Sequence, residues 1–434
     1  LKSIFPVSFL LSPLLSPVGV IVLYLLCTGV AVAQTDCPEL PFVRGLRVYG
    51  GDDETALPVM YKDGCGSPDH ITIRFDVSSK QPPRLKIRFR HCNKDWKVDT
   101  DFFVRDDFFT VTRYLAYQQA PAGVEYFSWR FTNIFPGPDN PFVRFRYSGN
   151  WVFEVQDEQD DDAVYASGRF IVVEKGVRAG LTIFNDYWTE NEMPLDRVHR
   201  LQLAVSVPDS LYADYVKTVD FYRNHSLVSP YRVDAYDYQS NTRVEGLGLK
   251  QKTFNYLNAL PGNGYRYWDF RNVAAYANNT LVRRIDGADF TRFRFGTDPM
   301  HMYGSSRTGA AESWDTDYMC VLFELNHQGF DGRSIFLAGD FNNWDPGPSD
   351  MLTKNEKSNK WEIRKRLLRG AYEYQYVVGY VDEETGTVKD QDWTTLEGNA
   401  WDAENLYWAV VYYDDDQFGG VHRAIGFFKR VAGK

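Results

Sequence analysis

Seven histidines, at positions 70, 91, 199, 225, 301, 327 and 422, are the side chains best suited by type to move protons or hold a metal near neutral pH. None of them falls in a His-x-x-x-His or His-Glu-x-x-His spacing, which would put two imidazoles on one face of a helix. His91 ends an alternating run of Leu85, Ile87, Phe89 and His91, so it faces the apolar side of a strand. A hydrogen-bonded core histidine is expected there, not a base. No Gly-x-Ser-x-Gly turn offers a nucleophile. Gly246-Leu247-Gly248 lacks the third glycine and the helix of a phosphate or dinucleotide loop. The acidic run Asp157–Asp162 lacks the glycine and ligand spacing of a calcium loop, and reads as a solvated hairpin tip. No catalytic residue, metal site or cofactor is therefore expected, and the chain is read as non-enzymatic.

Tryptophan is the other residue type that could meet a ligand. Gly339-Asp340-Phe341-Asn342-Asn343-Trp344 follows the apolar run Ile335–Ala338 and precedes strand signals at Trp361–Leu368 and Gly370–Val378. That order resembles the early-set β-sandwich accompanying glycogen- and starch-acting enzymes. The resemblance implies that Trp344, and Trp393 as a second platform, could stack on sugar rings. The basic residue usual in the following strand is replaced by Gln375 or its neighbours, and tryptophans in sandwiches are commonly packing residues.

The first 33 residues read as an export signal. Lys2 is the only charge before Asp36, Val18–Leu26 is apolar, and Ala31-Val32-Ala33 suits signal peptidase. Export would leave Cys37, Cys65, Cys92 and Cys320 in an oxidising compartment. A Cys37–Cys65 bridge could close a loop at the start of the first domain, although four cysteines allow three full pairings. Cys92 and Cys320 lie in strand-like runs and are expected as buried free thiols.

These residues need a scaffold, and composition indicates its class. Aromatic residues make up 16% of the 434-residue chain, a bias that suits pleated, half-buried surfaces. Ile71–Val77 and Leu85–Cys92 alternate with a period of two, with Pro82-Pro83 between them. Further strand signals fall at Tyr126–Thr132, Val143–Tyr147, Asn150–Val155, Arg169–Val173, Leu181–Phe184, Leu201–Val207, Val219–Tyr222, Tyr265–Asn272, Met319–Leu325, Leu406–Tyr413 and Val421–Phe428. The expectation is all-β: three immunoglobulin-like or early-set sandwiches over 38–176, 177–297 and 317–430, with a linker or long loop at 298–316. The formal charge of −10 argues against nucleic acid as a partner.

The segment His91-Cys92-Asn93-Lys94-Asp95-Trp96 resembles the signature of the type IX secretion system plug protein family, first catalogued as a domain of unknown function in Bacteroidetes-type bacteria. Ser148-Gly149-Asn150-Trp151, Phe170–Glu174, Asn263–Arg271 (with Arg266 and Asp269), Asp317–Phe323 and the strands after Leu396 resemble further family segments in the same order. The resemblance implies a periplasmic protein that occludes the periplasmic mouth of the giant outer-membrane β-barrel translocon, with no membrane insertion after signal cleavage. Its alternative is an exported glucan-binding protein using the C-terminal domain. The motif residues are expected to be structural: Asn93 and Asp95 satisfy a turn, and Trp96 packs beneath it.

Overall fold

Alternation of apolar residues builds six sheets, packed in pairs around three main cores. The computed structural model describes residues 37–100, 104, 108–188, 197–287, 290, 302–309, 316–330, 332–415 and 419–433. Among them the regular elements are strands and four short 3-10 turns. The segment read as an export signal, and Cys27 within it, lie outside the described residues.

In the first pair, one sheet orders the strands 43–50, 71–77, 129–135 and 117–119. The facing sheet orders 59–61, 164–173, 149–157, 85–92 and 111–112. Ile71, Ile73, Phe75 and Val77 meet Leu85, Ile87, Phe89, Trp151 and Phe153 across the gap. Both faces of Ile71–Val77 are largely covered, so the apolar side of its alternation packs on one sheet and the polar side is claimed by other groups. Val143–Tyr147 is not a strand. Val143 and Phe145 are buried in the same core, so the alternation there reflects packing of a loop that follows Pro141.

The second pair corrects the expected domain boundaries. Strands 216–223 and 231–234 share a sheet with 405–415 and 421–432, the last two strands of the chain. Their partner sheet holds 178–187, 197–206, 251–259 and 242–245. Leu201, Leu203, Val219, Phe221, Phe254, Tyr407, Ala409 and Val411 form the core. The third pair takes in 266–269 and 281–287, which were expected to belong to the second domain. Its central strand, Gly370–Asp382, pairs with 266–269 and 387–392 on one edge and with 306–308 and 334–339 on the other. Its first ten residues are all buried, the polar Glu373 and Gln375 among them. The expected linker is likewise redrawn: Ser306–Thr308 is a strand of this sheet, and Met302, Ser305 and Ser306 are buried.

Residues 38–434 cluster as one compact unit because the sheet pairs are joined by apolar layers of their own. Leu57, Val59, Ile171 and Val173 of the first pair pack on Tyr222, Trp408, Val410 and Tyr412 of the second. Phe127 of the first pair packs on Tyr318 and Leu368 of the third. Beside that contact, Asp76 takes a two-pronged contact from Arg130 at 2.7 and 2.9 Å and accepts the Tyr318 hydroxyl at 3.1 Å.

Candidate functional site

The hexapeptide at 91–96 leaves the end of the strand Leu85–Cys92 and turns against the second sheet pair. Asn93 Oδ1 accepts the amides of Asp95 at 2.9 Å and Lys97 at 3.0 Å, closing the turn. Lys94 then extends across the boundary. Its Nζ donates to Asp234 Oδ2 at 2.8 Å and to Thr218 Oγ1 at 2.9 Å, and its amide donates to His422 Nδ1 at 3.1 Å. Asp95 does not serve its own turn as expected. It pairs with Arg232, whose Nε and Nη2 also hold the fully buried Asp220 at 2.7 and 2.8 Å. Arg232 Nη2 further donates to the Lys94 carbonyl at 2.8 Å.

Electrostatics follow from this geometry. Burial opposes the Arg232 charge, but Asp220 and Asp95 outweigh it and raise the guanidinium pKa above its ordinary value. Burial likewise opposes ionisation of Asp95 and Asp234. Arg232 overcomes it at Asp95, and Lys94 with Thr218 overcomes it at Asp234, so both carboxyls sit below the usual range. The motif is an ionic clamp between sheet pairs.

A second polar layer backs the clamp. Asn150 is buried; its Nδ2 donates to the carbonyls of Asn93 and Lys94 at 3.2 and 3.4 Å, and its Oδ1 accepts the Tyr412 hydroxyl at 2.9 Å. His91 has Nδ1 at 2.6 Å from Asp99 Oδ2 and Nε2 at 3.0 Å from the Ser148 carbonyl. Gly149, at φ +137°, lies so close that a Cβ would overlap His91 Nε2 and sit 2.7 Å from the His422 carbonyl. Trp96 is half-buried, with the Arg169 guanidinium 5.2 Å from its ring centroid. Ser148 turns its carbonyl to His91, and the cavity beside the ring measures only about 160 Å³. That is too small for a substrate of ordinary size.

The remaining motif residues serve the third sheet pair. Arg266 is buried, with Nε 3.0 Å from Glu397 Oε1 and Nη2 donating to the Gly287 carbonyl at 3.1 Å. Tyr374 and Tyr376 donate to Asp286 at 2.7 and 2.9 Å beside it. Asp269 is held by Arg271 at 2.7 Å, which keeps its carboxyl below the usual range against the effect of burial.

Trp344 is displaced from the role of a sugar platform. It is 2% exposed, its ring centroid is 4.6 Å from that of Tyr265 and 6.3 Å from that of half-buried Trp393, and its Nε1 donates to the Gly304 carbonyl at 2.6 Å. The two tryptophans border a cleft of about 460 Å³ shared with Tyr231, Gln375 and Arg223, but Trp344, at 2% exposed, has almost no surface to give to a ligand.

The expected cysteine pairing is also corrected. Cys65 is an exposed free thiol, whereas Cys37 and Cys320 are disulfide-bonded. Cys320 sits in an apolar strand, yet Met319, Val321, Phe323 and Leu325 fill the core while Cys320 alternates to a less buried position. Cys92 is free and buried, and burial pushes its thiol up to about 12.

Sequence reasoning missed Asp220 and Arg232, the far half of the clamp, and read Tyr412 only as part of a C-terminal strand. The available signal was a carboxylate set between Val219 and Phe221 in an apolar strand, which demands a buried partner.

Comparison with known proteins fits this geometry. Residues 43–174 match the family model described as the type 9 secretion system plug protein 1st domain, which contains the hexapeptide and Ser148–Asn150. No curated protein matches the chain. The crystal structure of a hypothetical protein from Parabacteroides merdae ATCC 43184 superposes with a TM-score of 0.71 at 19% identity, covering 91% of this chain and 98% of its own. It shares the fold. A chimeric titin Z1Z2 tandem (TM-score 0.18, 10% identity, 47% of this chain and 80% of its own) overlaps too little to carry weight.

Proposed function

We propose that this chain is a non-enzymatic periplasmic plug, which binds the giant outer-membrane β-barrel translocon of the type IX secretion system and occludes its periplasmic mouth. The observation that carries this reading is the match of residues 43–174 to the first domain of the plug protein family. The architecture is compatible with it. Occlusion requires a body that keeps its shape under load, and here apolar layers and an ionic clamp join the sheet pairs. The motif side chains hold elements together, which is work that needs no substrate. Sealing would rest on steric fit and an interface on the order of 1,200–2,000 Å².

The test is affinity purification of the tagged protein from its own cell envelope in mild detergent, with partners identified by mass spectrometry. A giant outer-membrane barrel as the dominant partner is the expected result. Its absence from repeated purifications overturns the reading.

A further inference from the structure

The cleft between the second and third sheet pairs holds a cation without a counter-charge. Arg223 ends the strand 216–223 and is partly buried where it lines the cleft, with Tyr231 from its own sheet and Gln375 and Trp393 from the third pair. Its Nη1 donates to the Leu260 carbonyl at 2.8 Å, and the Tyr231 hydroxyl donates to the same carbonyl at 3.2 Å. Gly262, at φ +68°, leaves room for the guanidinium: a Cβ there would lie 2.6 Å from Nη1 and 3.2 Å from Cζ. A backbone carbonyl and a glycine thus fix the group in place, and among the described residues no carboxylate comes within ion-pair distance of it.

This sets Arg223 apart from Arg47, Arg130, Arg232 and Arg266, each of which meets a carboxylate. Burial opposes the Arg223 charge, and the groups that act on it are the phenols of Tyr231, Tyr265 and Tyr407. Burial raises the phenols of Tyr265 and Tyr407 in their turn, so neither brings a negative charge to the guanidinium near neutral pH. A guanidinium held in such a place is costly unless an anion joins it.

The cleft has the size and the walls of a small-molecule site. Its volume of about 460 Å³ falls within the range of roughly 300–1,000 Å³ usual for such sites. Half-buried Trp393 and Tyr231 line it from the two sheet pairs and offer aromatic surface to a flat ring. Gln375 and Gln391 add amides that can meet hydroxyls. Asp390 is the other charged residue lining the cleft; it is exposed and forms no ion pair among the described residues. A fixed guanidinium between aromatic walls suits a carboxylate carried on a ring, because its planar fork takes both carboxylate oxygens.

We infer that the cleft lined by Arg223, Tyr231 and Trp393 binds a small organic acid, with its carboxylate on the Arg223 guanidinium and its ring against the aromatic walls. The inference stands independently of the plug reading. A uronic acid and an aromatic carboxylic acid share this chemistry, and the test tells them apart. Saturation-transfer NMR on the full chain, with glucuronate, benzoate and glucose as probes, is followed by titration of whichever acid binds. An acid should bind where glucose does not, and the acid that binds identifies the ring. Arg223→Gln should weaken that binding about tenfold or more. Its thermal melt should not fall below that of the wild type, because no native ion pair is broken. Asp390→Asn should tighten binding by removing a like charge from the rim. Failure of both acids to bind overturns the inference, as does glucose bound as well as either acid. Affinity unchanged in Arg223→Gln overturns it too. Where Arg223→Gln does not fold, Asp390→Asn decides, and an unaltered affinity in that variant overturns the site.

Discussion

At Arg232, one guanidinium serves a fully buried carboxylate, Asp220, and a half-exposed one, Asp95. Removing it strands Asp220 in the interior without a counter-charge. Arg232→Met is expected to cost about 3 kcal/mol in urea unfolding, and adding Asp220→Leu should restore most of that loss. A double variant no more stable than the single one would refute the ion-pair account. The clamp also sets a pH dependence. Asp95 and Asp234 have folded pKa values below their unfolded ones, so their contribution is complete above the ordinary carboxylate range. It is lost as pH falls below about 4, where the unfolded chain binds the extra protons first. Asp95→Asn should therefore flatten the stability profile between about pH 5 and 2 without altering its shape near neutrality. A profile identical to that of the wild type would show that the contact with Arg232 is too solvated to matter.

At the scale of elements, strands were legible where one face is apolar and the other is not. Ile71–Val77 and Leu85–Cys92 announce themselves in this way, and the facing of their two sheets around a core that holds Phe75 and Phe89 follows from burying the apolar face. What the sequence conceals is which sheet a strand joins. Leu406–Tyr413 reads as a strand, but nothing local says that it pairs with 216–223, almost two hundred residues earlier. Ser306–Thr308 has no apolar signature because three residues of backbone pairing with Gly370–Tyr372 place it. Trp344 failed as a ligand residue for a related reason. Its burial owes much to Tyr265, from a segment expected to belong to another domain. Trp344→Ala should accordingly cost about 3–5 kcal/mol, as for other large-to-small core changes, in thermal or urea unfolding. A variant as stable as the wild type but altered in retention on glucan resin would return the residue to the binding role.

For the whole molecule, the decisive property is that its sheet pairs do not behave as beads on a string. Domains joined by modest polar interfaces move relative to one another by default, and the proposed occluding role would require a body that does not. Here Trp408 is fully buried, stacks on Tyr222 with ring centroids 4.2 Å apart, and donates Nε1 to the Asn224 carbonyl at 2.8 Å. It lies in the layer that also holds Ile171 and Val173 of the first pair. Opening that boundary would expose an aromatic-rich surface and break the Lys94–Asp234 and Arg232–Asp95 contacts together. Opening should therefore be nearly as costly as global unfolding. Amides of Ile171–Val173 and Val410–Tyr412 should exchange with solvent at the slow rate of the Phe75 strand, since both would need the same cooperative event. Trp408→Ala should split these classes, so that the boundary strands exchange faster while Ile71–Val77 stays protected. Fast exchange at Ile171–Val173 in the wild type would mean that the pairs already hinge there. On the proposed function, a rigid stopper would then have to be assembled on its partner instead of arriving preformed.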